Sequence, residues 1–98
     1  MTVMISLPEA ETAARRIVGA VLPSLDHRAV WDVTADLECE SVFAAAALAL
    51  EAGSMVGFDA TPVLADMATV VDFLGDDPDA STIAEHLARA SDRTLLAA

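Results

Sequence analysis

The chain has 98 residues, 55% of them hydrophobic but only 4% aromatic, and its 16 acidic residues against five arginines give a net charge of −11. This length predicts one domain, and the charge disfavours nucleic acid and anionic membrane surfaces as partners, because both would be repelled. A single cysteine excludes an internal disulfide, and the chain shows neither a signal-peptide pattern nor the roughly 20-residue apolar run of a spanning helix, so we expect a cytoplasmic protein.

The first predicted helix begins after Ser6, which is placed to cap it, with Pro8 at the first helical position. Its apolar stripe ends at Pro23, which cannot continue a helix. The following segment, 24–36, has no clear period and predicts either a long loop or a short helix. We adopt the loop, and we expect Trp31 to anchor it to the core because burial of so large a ring is favourable. The alternative is a tryptophan that faces a partner.

The second helix is predicted over 41–52, with Gly53 as its C-terminal cap. A loop should follow over 53–60, with its larger apolar side chains turned inward: Met55, Val56 and Phe58. The alanine run Ala44–Ala47 lies within this second helix and favours helical structure, because Ala loses least on becoming helical.

The rest of the chain predicts three shorter helices. Thr61-Pro62 opens one through about Asp66, Thr69 opens another that Gly75 closes, and a last helix covers roughly residues 80–90 before a frayed tail. The fold class is therefore all-α. It is predicted as a small four-helix bundle of one domain, 1–98, with its core at about 9–75, a long loop after the first helix and an extra C-terminal helix.

The order of these elements, with Asp36-Leu37-Glu38-Cys39-Glu40-Ser41-Val42 at the start of a helix, resembles the acyl carrier protein family. The family's signature is Asp-Leu-Gly-x-Asp-Ser-Leu. Ala49-Leu50-Glu51, Phe58 to Pro62 and Ala68-Thr69-Val70 fall where the family's later helices end or begin, so the resemblance covers roughly residues 9 to 75.

The resemblance implies a carrier that is not an enzyme. Ser41 would bear a covalent 4′-phosphopantetheine arm holding intermediates of fatty acid, polyketide or nonribosomal peptide biosynthesis as thioesters, and Glu40 would assist attachment of the arm. Val42 and Phe43 would lie near the face that docks partners. Those partners would be a phosphopantetheinyl transferase and acyl-transferring enzymes with basic patches, and the carrier itself would be a monomer.

The sequence departs from the family pattern at two positions beside the serine. Glu38 stands where the family has glycine, and Glu40 stands where it has aspartate, one methylene shorter. In the family the aspartate helps to position Mg²⁺, which requires tight octahedral geometry. Glutamate changes that geometry, so a divergent carrier and a carrier-like protein without the arm both remain open.

Other functions compete with the carrier hypothesis. Ser41 can act as a helix cap alone, a role that serine favours. The chain can also be an acidic helical interaction protein without a prosthetic group, or a dimer that packs through Ala44–Ala47. We expect no metal site, because His27 and His86 lack ligands at metal spacing, and we expect Cys39 to be partly buried.

Overall fold

The structure is a computed structural model that describes residues 4–39 and 41–97, the last five of these as backbone only. All regular structure in the described ranges is helical, which confirms the all-α prediction. Short 3₁₀ turns lie at Leu22–Ser24 and Thr61–Val63. The five α-helices are α1 (Leu7–Val21), α2 (His27–Cys39), α3 (Val42–Met55), α4 (Leu64–Leu74) and α5 (Pro78–Ala97).

Four of the helices form a ring in which each packs against two others, in the order α1, α3, α5, α4. The remaining helix, α2, packs mainly against α3 from outside this ring. The smallest dimension of the molecule is 19 Å, about two helix diameters. The extra helix of the predicted fold is therefore α2, whereas the C-terminal helix α5 is part of the bundle.

The core is aliphatic and receives side chains from all five helices. Small alanines of α1 and α3 let the helices approach closely, as the composition predicts. The largest fully buried side chains are Ile17, Val21, Val33, Met67, Val70 and Ile83. None of the described side chains leaves a buried polar atom without a hydrogen bond, and none of the helices among the described residues is long and apolar enough to cross a membrane.

The first helix follows its prediction closely. The Ser6 hydroxyl oxygen accepts a hydrogen bond from the Glu9 N–H at 3.3 Å and donates one to the Glu9 carboxylate at 3.1 Å. The helix ends at Val21, and Pro23 lies in the 3₁₀ turn that follows. Local cap chemistry is sufficient to set both ends of this helix.

The long loop predicted after α1 is wrong, because residues 27–39 form α2. The Asp26 carboxylate accepts a hydrogen bond from the Ala29 N–H at 2.8 Å and so satisfies a free donor of the first turn. The prediction that Trp31 anchors this segment is also wrong, since its side chain is 70% exposed. Trp31 precedes the buried Val33 by two residues, which is about 200° around a helix, and therefore points away from the core.

The predicted C-terminal cap of α3 at Gly53 is wrong, because the helix continues to Met55 and Gly57 is the terminating glycine. Gly57 has a φ of 78°, and the Phe58 N–H donates to the Gly53 carbonyl at 2.9 Å, a pattern typical of helix ends. Phe58 packs against the core as expected. Met55 (87% exposed) and Val56 do not, because they follow the last turn of α3 into solvent.

Two further helix boundaries differ from their predictions. Thr69 does not start a helix, because its hydroxyl donates to the Ala65 carbonyl at 3.0 Å within a continuous α4. Gly75, at a φ of 63°, ends α4 as predicted. The last helix starts at Pro78 and extends through Ala97, so it is longer at both ends than the predicted 80–90.

Candidate functional site around Ser41

Ser41 is the N-cap of α3 and its side chain is exposed. Its backbone is extended, its carbonyl accepts from the Ala45 N–H at 3.0 Å, and its hydroxyl oxygen accepts from the Ala44 N–H, also at 3.0 Å. The first turn of a helix offers further N–H groups without helical partners, together with a partial positive charge. An anionic group attached to this hydroxyl would therefore meet hydrogen-bond donors.

The segment that leads to Ser41 is helical. Asp36, Leu37 and Glu38 belong to the last turns of α2, which ends at Cys39 only two residues before Ser41. Cys39 is exposed, so the prediction of a partly buried cysteine is wrong. Glu40 lies outside the described residues, and its role in attaching an arm stays a prediction.

The two residues that were expected near a docking face are turned toward the protein interior. Val42 is buried, with 7% of its surface exposed, and Phe43 stacks on Phe73 with 5.7 Å between ring centroids. The reason is that α3 is surrounded by α1, α2 and α5, so most of its circumference faces other helices. Val42 therefore offers almost no side-chain surface to a partner in this arrangement.

The end of the molecule near Ser41 is acidic. Asp36 near the end of α2 lies close enough to Asp79 in the first turn of α5 to affect its ionisation. Burial, together with the carboxylates of Asp77 and Asp36, raises the pKa of Asp79 above its ordinary value of 3.8. Close to Ser41, the partial positive charge of a helix N-terminus therefore stands beside several carboxylates.

We expect Asp79→Asn to be more stable than the wild type at pH 7. Because the folded-state pKa is raised, the stabilising contribution of the neutral Asp79 carboxyl is fully present below pH 3.8. It is lost as the pH rises through the folded-state pKa. Urea unfolding at pH 7 and below pH 3.8 should show that the variant gains unfolding free energy at pH 7 and that this gain shrinks in acid. The exposed Asp72→Asn serves as control, and a less stable Asp79→Asn variant at pH 7 would contradict the assignment.

A concave region, which the sequence did not indicate, lies at the far end of α3. It has a volume of about 180 Å³, and its lining includes Leu50, Phe58, His86 and Arg89. Because α3 rises 1.5 Å per residue, this cleft lies roughly 20 Å from Ser41. Small-molecule sites usually have volumes of about 300–1,000 Å³, so this cleft is smaller than most of them.

The remaining predicted site residues do not form a chemical cluster. His27 is exposed at the start of α2, whereas His86 is half-buried in the cleft at the other end of α3. The described residues contain no group of three or more side chains able to hold a metal ion. The dimer hypothesis is wrong for Ala44–Ala47, because three of these alanines are buried inside their own subunit.

Ser41 thus lies at an exposed helix start, with the end of α2 immediately before it. A comparison of the chain with protein-family models, curated proteins and solved structures found no match. A functional assignment therefore rests on the residues and geometry described above.

Proposed function

We propose that this protein is a non-catalytic carrier of the acyl or peptidyl type, modified on Ser41 with 4′-phosphopantetheine and acting in the cytoplasm. The observation that carries the proposal is the exposed hydroxyl of Ser41 at the N-terminus of α3. The family resemblance of the Asp36–Val42 segment supports the choice of arm. When bound, the arm supplies a thiol on which biosynthetic intermediates are held as thioesters.

The residues around Ser41 fit a phosphodiester. The hydroxyl donates to none of the described residues, so its proton can be removed and its oxygen esterified without breaking an internal donor bond. The N–H groups of the first turn of α3 would then face the phosphate, an interaction worth about 0.3–1 kcal/mol at an exposed site. The protein itself needs no catalytic base, because the transferase and the acyl-transferring enzymes perform the chemistry.

The wild-type chain should gain the mass of one 4′-phosphopantetheine group when it is incubated with coenzyme A, Mg²⁺ and a transferase of broad specificity. Intact-protein mass spectrometry measures this gain, with an established carrier modified in parallel as the positive control. An unchanged mass, while the control carrier is fully modified, would contradict the proposal.

The second candidate is an acidic interaction protein that works without an arm. The observation that favours it is the exposed Trp31 on α2, the helix that stands where a carrier should have a loop. Such a protein would bind a basic partner through its surface, in a salt-sensitive manner and independently of Ser41. The mass measurement separates the two candidates, because only the carrier requires esterification of Ser41.

A further inference from the structure

Trp31 is the only tryptophan of the chain, and its position is unusual for so large an apolar side chain. Tryptophan is highly buried on average, yet this side chain is 70% exposed. Among the side chains that the structure describes, the other large apolar ones with high exposure lie before a helix or at a helix end: Met4, Leu7, Met55 and Val56. Trp31 instead lies within α2, where the helix fixes its direction.

Four of the side chains next to Trp31 on the surface of α2 are exposed as well, whereas Thr34, three residues further on, is half-buried. His27, Arg28, Ala35 and Glu38 follow the helical spacing of three, four or seven residues from Trp31 and share its side of the helix. We call these five residues the α2 outer face. The opposite side of α2 packs on α3 through Val33, so the outer face is left to solvent.

The charge of the protein limits what can bind there. The outer face itself carries one arginine and one glutamate and is flanked by the exposed Asp32, and the whole chain carries −11. This charge repels anionic lipid headgroups and nucleic acid phosphates, and it also repels a second copy of the chain. A partner protein that presents lysine or arginine is attracted, and its cations can also stack on the indole ring.

We propose that the α2 outer face is a docking surface for a basic partner protein, which receives the Trp31 indole in an apolar pocket surrounded by lysine or arginine. Tryptophan is among the residues that contribute most to binding when buried at the centre of an interface. An interface of ordinary size covers about 800 Å² on each partner, a patch roughly 30 Å across. Trp31 is only about 12 Å along the helix from the end of α2, so the same partner also reaches the region of Ser41.

This docking surface requires no modification of Ser41, so it extends beyond the carrier function and can be tested separately. The probe is a random peptide library displayed on phage and selected against the immobilised wild-type chain at low salt. Synthetic copies of the enriched peptides are then titrated with wild type, Trp31→Ala and Met55→Ala. Met55→Ala is the matched control, because it removes another exposed apolar side chain at a helix end.

We expect enriched peptides that combine lysine or arginine with an apolar residue and that bind Trp31→Ala about tenfold more weakly or worse. Met55→Ala should bind them within about twofold of wild type, and binding should fade at about 1 M salt, where screening is strong. Both variants should keep the wild-type circular-dichroism melting curve, which excludes unfolding as the cause.

The proposal is overturned if no peptide is enriched, if Trp31→Ala binds as wild type does, or if both variants lose affinity equally. Sedimentation of the wild type tests the remaining occupant, a second copy of the chain. Self-association that Trp31→Ala abolishes would assign the face to a dimer and would also overturn the proposal.

Discussion

The Ser41→Ala variant is expected to gain no mass from coenzyme A and transferase under conditions that modify the wild type completely. The reason is chemical, because Ala lacks the oxygen that the phosphate must esterify. The same change removes the hydrogen bond from the Ala44 N–H, which costs about 1 kcal/mol, or roughly 4–8 °C in melting temperature for a domain of this size. Mass spectrometry and a thermal melt measure the two effects on the same sample.

Two further variants separate the loss of the arm from the loss of the helix cap. Ser41→Asn keeps a good N-cap and should remain as stable as the wild type, yet it should not be modified. Ser6→Ala removes the equivalent cap of α1 and should lose similar stability while it keeps the full mass gain. If Ser41→Asn still gains the mass, the arm is attached elsewhere and the assignment of Ser41 is wrong.

The Gly53→Val variant should be destabilised by about 1–3 kcal/mol, a large share of the roughly 5–15 kcal/mol that holds a typical domain folded. A Cβ at position 53 would lie 2.9 Å from the Val21 Cγ1 and 3.1 Å from the Phe58 Cβ, closer than ordinary contacts allow. Val21 is fully buried and cannot move aside freely. Urea unfolding monitored by circular dichroism measures the loss.

The matched control for Gly53→Val is Gly19→Val, because Gly19 is also a helical glycine but a Cβ added there would meet nothing within 4 Å. This exposed change should alter stability by no more than about 0.5 kcal/mol. Equal losses in the two variants would contradict the assignment of the effect to the contact with Val21 and Phe58.

The local chemistry of the chain was enough to predict several elements and the position of the candidate site. Ser6 and Ser41 cap helices where the sequence places them, and Gly75 ends one. These features depend on hydrogen bonds and dihedral angles within a few residues, so they can be predicted without knowledge of the fold. The placement of a capping serine says nothing by itself about whether it carries an arm, and modification of Ser41 therefore stays a prediction.

The predictions for 24–36 and for Gly53 failed for a different reason. Whether residues 27–39 form a loop or a helix depended on α3, which offers α2 a surface on which to bury Val33. The exposure of Trp31 follows from that choice, because its side of α2 is set once Val33 packs inward. Gly53 was interpreted as a helix end, whereas its role is to let α3 approach Val21 of α1.

The sequence alone determined the helical class, the acidic surface and the cap at Ser41, because composition and short-range hydrogen bonds decide these properties. Tertiary structure alone decided that α2 exists, that Val42 faces inward and that Trp31 faces solvent. Those outcomes depend on which helix faces are buried against each other, and such contacts join residues that are distant along the chain.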